Sequence, residues 1–201
     1  MKINAVMIPK PITITRDNSI SDAIELMKDN SIRHLPVVTK NKTLDGFVTL
    51  SDLKQGLIPS MVSDLSLSDL MIKNPITIAP DNDIEVAAQI IYKHKISGIP
   101  VVENNRLVGI ITETDILREF IHMMGILTSS SRLDVEVGEK KDQLKQILQV
   151  IDENGAEVIN VGMTSMASKN RTYVFRLTSC DTGTIKNELE KNGFKVLEAM
   201  D

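Results

Sequence analysis

Tryptophan is absent from this 201-residue chain, and aromatic residues make up only 3% of it. Its cores must therefore be filled by Ile, Leu, Val and the ten Met residues. A single cysteine, Cys180, excludes an internal disulfide and fits a cytoplasmic setting. It ends an apolar, strand-like run with no histidine near it in sequence, so it reads as a packing thiol and not a nucleophile. The three histidines, His34, His94 and His122, lack the spacing of a metal site. No apolar run approaches the roughly 18–20 residues that cross a bilayer, and the first residues are too short and interrupted for a secretory leader. With a formal net charge of -4 and a pI near 5.5, the chain lacks the basic excess of a general nucleic-acid binder. What remains, 42% apolar and 25% charged residues, is ordinary for one or two globular domains.

The chain says one thing twice. From Met7 to Val38, 14 of 32 positions return at an offset of 64: Met7, Ile8, Pro11, Ile12, Thr13, Ile14, Asp17, Asn18, Ile20, Ala23, Ile32, Pro36, Val37 and Val38. Leu44, Gly46, Thr49 and Asp52 then return at an offset of 63, as Leu107, Gly109, Thr112 and Asp115. Chance identity is about one position in twenty, so this is a duplicated unit. Its period exceeds the ~20–50 residues of solenoid repeats. Two copies imply a pseudo-symmetric pair with two equivalent clefts.

Each copy reads as β-α-β-β-α. Pro11–Ile14 is a short β-branched strand, and Ser19 or Ser21 caps a helix carrying Ile20, Ala23, Ile24 and Met27. Leu35–Val38 and Leu44–Val48 form a hairpin across Asn41-Lys42, and Thr49 opens another helix. Copy 2 repeats this through Ile76–Ile78, Asp83–Tyr92, Ile99–Val102, Leu107–Ile111 and Thr112 onward. Gly56 to Ser60 breaks the chain between copies, and Gly125 with Thr128 to Ser131 marks a linker. The expected boundaries are 1–60 for copy 1, 61–124 for copy 2, 125–131 for the linker and 132–201 for a third domain. That last segment alternates as βαββαβ, with Asn154-Gly155 and Asn192-Gly193 ending its helices and Ser168-Lys169-Asn170 turning its hairpin. This order fits a ferredoxin-like sandwich, and the whole chain is expected to be α+β.

Chemistry is sought in Gly46-Phe47-Val48-Thr49-Leu50-Ser51-Asp52 and Gly109-Ile110-Ile111-Thr112-Glu113-Thr114-Asp115. In each, a strand ends at a hydroxyl residue and a carboxylate follows in the first helical turn. A helix start suits phosphate, and an Asp there can accept from both ribose hydroxyls. The glycine permits close backbone approach. Thr-x-x-Asp is also the pattern of a capping box, and pattern alone leaves capping and ligand binding both open.

Residues 7–119 resemble a tandem pair of cystathionine-β-synthase (CBS) domains, a Bateman module. Met-x-x-x-Pro-Ile-Thr-Ile, Leu/Ile-Pro-Val-Val and the Gly-to-Asp segment carry the likeness in both copies. The resemblance implies a non-catalytic regulatory module that binds adenine nucleotides (AMP, ADP or ATP) between its repeats and needs no cofactor. By it, Asp52 and Asp115 would hold ribose. Thr49, Ser51, Thr112 and Thr114 would line the ribose–phosphate path, and Ile12 and Ile76 would flank the base. Where the copies differ, Arg33-His34 against Ser97-Gly98, the basic pair would neutralise phosphate.

Residues 132–201 resemble an ACT domain. The family's Pro-Gly-x-Leu turn aligns with Lys141-Asp142-Gln143-Leu144. Asp142 stands where that glycine would admit an amino-acid ligand, which favours dimerisation over amino-acid binding. The full arrangement is similar to the acetoin-utilisation (AcuB-like) regulatory family, in which the chain passes between modules near His122–Gly125. Some proteins of this architecture take cyclic di-AMP. A homodimer acting on a protein target is expected, without nucleic acid or membrane. An enzyme, or a purely structural module whose Thr-x-x-Asp segments are only caps, are the competing readings.

Overall fold

The computed structural model describes residues 1–55, 65–127, 130–138, 142–165 and 171–201. The expected chain break at Gly56 to Ser60, Thr128 and Ser129 of the linker, Lys141, and the turn Ser168-Lys169-Asn170 lie outside the described residues. The chain divides into two units, Met1–Leu117 and Arg118–Asp201.

In the first unit, copy 1 holds α1 (Ile20–Asp29), the hairpin β2 (His34–Val38) and β3 (Leu44–Thr49), and α2 (Leu50–Gln55). Copy 2 holds α4 (Ile84–His94), β4 (Gly98–Glu103), β5 (Arg106–Thr112) and α5 (Glu113–Met123), which continues past the unit boundary. Helix α1 starts at Ser19, whose hydroxyl accepts from Asp22 N–H at 3.0 Å while the Asp22 carboxylate accepts from Ser19 N–H at 2.9 Å. That reciprocal cap satisfies two orphan donors. Both hairpins slip register at the same place, Val37/Val38 and Val101/Val102, so the bulge is duplicated too.

The expected strands at Pro11–Ile14 and Ile76–Ile78 reduce to one-residue parallel bridges, Ile14 to Val37 and Ile78 to Val101. Ile14 N–H donates to Pro36 O and its carbonyl accepts from Val38 N–H, at 3.1 and 2.8 Å. The next N–H, of Thr15, is taken by the Asn18 side chain, and Ala79 N–H by Asn82 in the same way. These local bonds pull the chain out of the sheet after one residue.

The segment that precedes each copy packs into the other copy. Strand β1 (Ile8–Pro9) pairs antiparallel with β5 of copy 2, Ile8 opposite Ile110. The counterpart bridge joins Ile72 to Phe47 of copy 1. Ile3 and Val6, with Met7 beside them, belong to the core of copy 2, built on Ile84, Ile99, Val101 and Ile111. Leu67 and Met71, around α3 (Leu67–Leu70), belong to the core of copy 1, with Leu35, Val37, Val48 and Leu53. The first residues also finish α4, since Ile84 N–H donates to Met1 O at 2.9 Å. Each buried Leu, Ile or Met contributes about 1.5–3 kcal/mol, so each copy draws several kcal/mol from its partner's leading segment.

This exchange explains the duplicated glycines. A Cβ at Gly46 would meet the Met71 sulfur at 2.7 Å, and one at Gly109 would meet Met7. The close backbone approach foreseen for a ligand is made by methionine.

The second unit carries β6 (Ser131–Val137), α6 (Gln143–Glu153), β7 (Val158–Ser165), β8 (Arg171–Leu177), α7 (Thr182–Lys191) and β9 (Lys195–Met200). The sheet order is β7-β8-β6-β9, with every neighbour antiparallel. Its core gathers Leu133, Val135, Phe175 and Leu177 from the sheet with Ile147, Ile151, Ile185 and Leu189 from the helices. Gly155 and Gly193 follow the helices at φ +73° and +84°, the left-handed geometry that glycine accepts without strain. Cys180 packs against this core, its N–H donating to Ser131 Oγ at 3.0 Å.

Met71→Ala is expected to destabilise the first unit by about 2–5 kcal/mol through lost burial and a residual cavity, and Gly46→Ala by about 1–3 kcal/mol through overpacking. In the double variant the new methyl enters the space the thioether leaves, so urea denaturation should give a loss smaller than the sum of the two.

Candidate functional site

Strands β3 and β5 each deliver a threonine at the strand-to-helix junction, and an aspartate one turn later turns back onto it. Asp52 Oδ2 accepts from Thr49 N–H at 3.0 Å and from Thr49 Oγ1 at 2.7 Å. Asp115 Oδ2 accepts from Thr112 N–H at 2.9 Å and from Thr112 Oγ1 at 2.6 Å. In both, the Asp N–H donates to the Thr hydroxyl at 3.3 Å. The capping reading is thus right as far as it goes. The cap engages one carboxylate oxygen, and both caps sit on the wall of a cavity.

The helix starts are less open to phosphate than the sequence reading expects. Leu50 N–H donates to Arg33 O at 2.9 Å and Glu113 N–H to Ser97 O at 3.0 Å. With the Asp N–H bound to its Thr, two of the first donors of each helix are spent. Side chains must supply the positive charge for an anion.

A cavity of about 390 Å³ brings Thr49, Ser51 and Asp52 of copy 1 against Ile72, Ile76, Lys95, Ser97 and Gly98 of copy 2, with Phe47 and Pro100 among its apolar walls. A second, of about 300 Å³, brings Thr112, Thr114 and Asp115 of copy 2 against Ile8, Ser31, Arg33 and His34 of copy 1. The two clefts are related residue by residue: Ile8 answers Ile72, Ser31 answers Lys95, and Arg33-His34 answer Ser97-Gly98. Every expected site residue except Ile12 lines one of them. Ile12 is exposed and does not figure in the lining of the Asp115 cleft. Asp115 is buried at 3% relative exposure, whereas Asp52 is half-buried.

Arg33 and His34 line the cleft of Asp115, the carboxylate of the opposite copy, and also a smaller chamber of about 290 Å³ with Thr49, Ser51, Lys54 and Ser97. Sequence reasoning missed Lys95, Asn74 and Lys54. No motif marks them; the facing of one copy against the other brings Lys95 and Asn74 to their cleft, and Lys54 sits one helical turn beyond Ser51. Lys95 and Ser31 do share a signal in the backbone. Both adopt φ +53° without being glycine, a conformation that costs about 1–2 kcal/mol and tends to collect at functional positions.

His34 and Gly98 occupy equivalent positions and face each other across the boundary between copies. A Cβ at Gly98 would lie 3.1 Å from the His34 ring, so one copy carries the large side chain and the other carries none. The ring stacks on Phe47 at 5.9 Å between centroids, and Nε2 lies 2.7 Å from Ser97 Oγ. Burial, then the Arg33 charge, lowers the His34 pKa below its ordinary 6.5, and Glu113, Asp115 and Asp52 oppose the shift. At neutral pH His34 is therefore a hydrogen-bonding neutral ring, and the charge beside it resides on Arg33. Among the described residues no helix is long and apolar enough to cross a membrane, and no group of three or more His, Cys, Asp or Glu is placed to hold a metal ion.

The family model described as "CBS domain" matches residues 3–58 and 67–122. Among solved structures, the CBS domain pair of protein MJ0100, in complex with 5-methylthioadenosine and S-adenosyl-L-methionine, is 31% identical with a TM-score of 0.56. It covers 60% of this chain and 95% of its own. A Vibrio cholerae protein described as an acetoin utilization protein (AcuB) is 33% identical at TM-score 0.56, covering 63% of this chain and 94% of its own. CBSX2 in complex with AMP is 27% identical at TM-score 0.54, with 60% and 96% covered. Among curated relatives, a homoserine O-acetyltransferase of Methanocorpusculum labreanum is 38% identical over 56% of this chain and 23% of its own length. An inosine-5'-monophosphate dehydrogenase of Nitrosopumilus maritimus is 31% identical over 86% of this chain and 36% of its own. The chain thus spans about a quarter to a third of these enzymes.

Because the folded-state pKa of His34 lies below the unfolded one, the unfolded chain binds more protons as pH falls. The stability linked to His34 is present above pH 6.5 and declines from there toward the lowered folded value. Denaturation midpoints measured from pH 7.5 to 5.0 should show this decline in the wild type and a shallower one in His34→Gln.

Proposed function

We propose, from the premise that the chain belongs to the CBS-domain family, that it is a non-catalytic regulatory protein sensing adenine nucleotides in the clefts between its copies. The observation that carries this reading is the duplicated placement of a hydroxyl–carboxylate pair from one copy opposite an apolar wall from the other. An adenine can lie against Ile72, Ile76 and Pro100 in one cleft and against Ile8 and Ile110 in the other. Asp52 and Asp115 then stand beside the ribose, and Thr49, Ser51, Thr112 and Thr114 line the way to the phosphate. Ser97 and Gly98, and Arg33 and His34, close the far sides. AMP in CBSX2 and the two adenosine compounds in MJ0100 support adenine as the base. Cyclic di-AMP is a further candidate of the same chemistry. A ligand touching both copies favours whichever relative arrangement binds it more tightly, and such a shift is a signal another protein can read.

We read the second unit as ferredoxin-like and ACT-like, on its βαββαβ order and fully antiparallel sheet. Asp142 stands at φ +68°, a geometry glycine adopts freely, at the position where the ACT pattern carries glycine. Its carboxylate disfavours an amino-acid carboxylate there. Assembly, with a twofold homodimer as the simplest form, is the role assigned to this unit.

Calorimetry with AMP, ATP and cyclic di-AMP on the wild type, Asp52→Ala and Asp115→Ala tests the proposal. Each substitution should weaken binding at its own cleft by about tenfold or more while removing about 0.5–2 kcal/mol of stability as a lost cap. Lost stability with unchanged affinity in both variants would reduce the Thr-x-x-Asp segments to caps.

A further inference from the structure

We propose that the Asp52 cleft takes a nucleoside di- or triphosphate, with Arg33 and Lys54 as the cations that hold its phosphate chain, and that the Asp115 cleft does not. This rests on the adenine-nucleotide reading and specifies ligand class and cleft. The apolar cavity of about 390 Å³ and the smaller chamber of about 290 Å³ share Thr49, Ser51 and Ser97 in their linings. They form one path, which runs from the apolar wall at Phe47 and Ile76, past Asp52 and the three hydroxyls, to Arg33 and Lys54. Both cations have exposed side chains, and among the described residues neither has an ion-pair partner. A phosphate chain entering there gains both charges without breaking an existing pair. On a protein of net charge -4, that local cationic pair is what an anionic ligand requires.

The duplicate shows what the same place looks like without this function. Arg33, Leu50 and Lys54 of the first path correspond to Ser97, Glu113 and Leu117 at the offsets of 64 and 63. Lys54 has no cationic counterpart, Arg33 faces the second cleft from the place that Ser97 holds in the first, and a carboxylate is added. Leu117, at Lys54's position, is 58% exposed. A phosphate chain leaving the Asp115 cleft by the equivalent route would meet Glu113 beside the already buried Asp115. Arg33 also borders the Asp115 cleft, so Lys54 is the residue that separates the two.

Calorimetry at fixed ionic strength with adenosine, AMP, ADP and ATP decides the matter. In the wild type ADP and ATP should bind about tenfold or more tighter than adenosine. Lys54→Ala should remove most of that gain and leave adenosine binding in place, and Arg33→Ala should lower the gain as well. Both side chains are exposed, so folding is preserved, and a thermal melt checks it. Asp52→Ala should abolish the phosphate-dependent gain, and Asp115→Ala should retain it. Equal affinity for adenosine and ATP, or a gain that survives Lys54→Ala, overturns the phosphate assignment and leaves the adenine reading standing. A gain lost only in Asp115→Ala also overturns it. If none of the four compounds binds, the adenine reading fails, and this proposal with it.

Discussion

A methionine lying beneath a glycine, made twice, is the contact on which the first unit depends. Met71 lies against Gly46 of copy 1 and Met7 against Gly109 of copy 2. Each sulfur lies too close for any residue with a Cβ to take the glycine's place, so glycine and methionine form one packing unit. Because the methionine leads the opposite copy, this contact ties the two halves together through their cores. A polar rim or a surface ion pair would give way at little cost. An interlock of Leu67 and Met71 in one core, and of Ile3, Val6 and half-buried Met7 in the other, holds the register of one copy against the other, and with it the width of both clefts.

The clefts follow from that registry. Strands β3 and β5 end in the same Thr–Asp cap, so the hydroxyls and carboxylates are set by local chemistry and would be present in either copy alone. The opposite walls come from the partner copy: Ile72 and Ile76 for Asp52, Ile8 and Arg33 for Asp115. Equivalent positions meet at the boundary between copies, and two bulky side chains do not fit there. His34 opposite Gly98 is the outcome, a forced departure from symmetry. Burial then keeps its ring neutral, while Arg33 supplies the charge.

Local chemistry was the legible part of the chain. The duplication, both hairpins, the cap at Ser19 and the left-handed glycines after α6 and α7 all follow from residue types at fixed spacings. The Thr–Asp segments were legible as caps. Partnership between segments was not. Nothing in the run from Met7 to Pro11 says that it serves copy 2, because an apolar stripe names no recipient. Gly46 therefore read as room for a ligand when it is room for Met71. The strand expected at Pro11–Ile14 failed for a local reason that spacing hides, since Asn18 captures the Thr15 N–H that would have extended it. Lys95 reaches its cavity through the packing of one half on the other, which no periodicity reports.

The crossed leading segments bear on ancestry. A gene encoding one such half would yield a molecule with an unfilled core, completed only by exchanging its leading arm with a second identical molecule. That assembly would have two indistinguishable binding grooves, and any substitution would alter both at once. In one polypeptide that tie is absent, and each groove can carry its own charge, Lys54 beside one and Leu117 at the matching place beside the other.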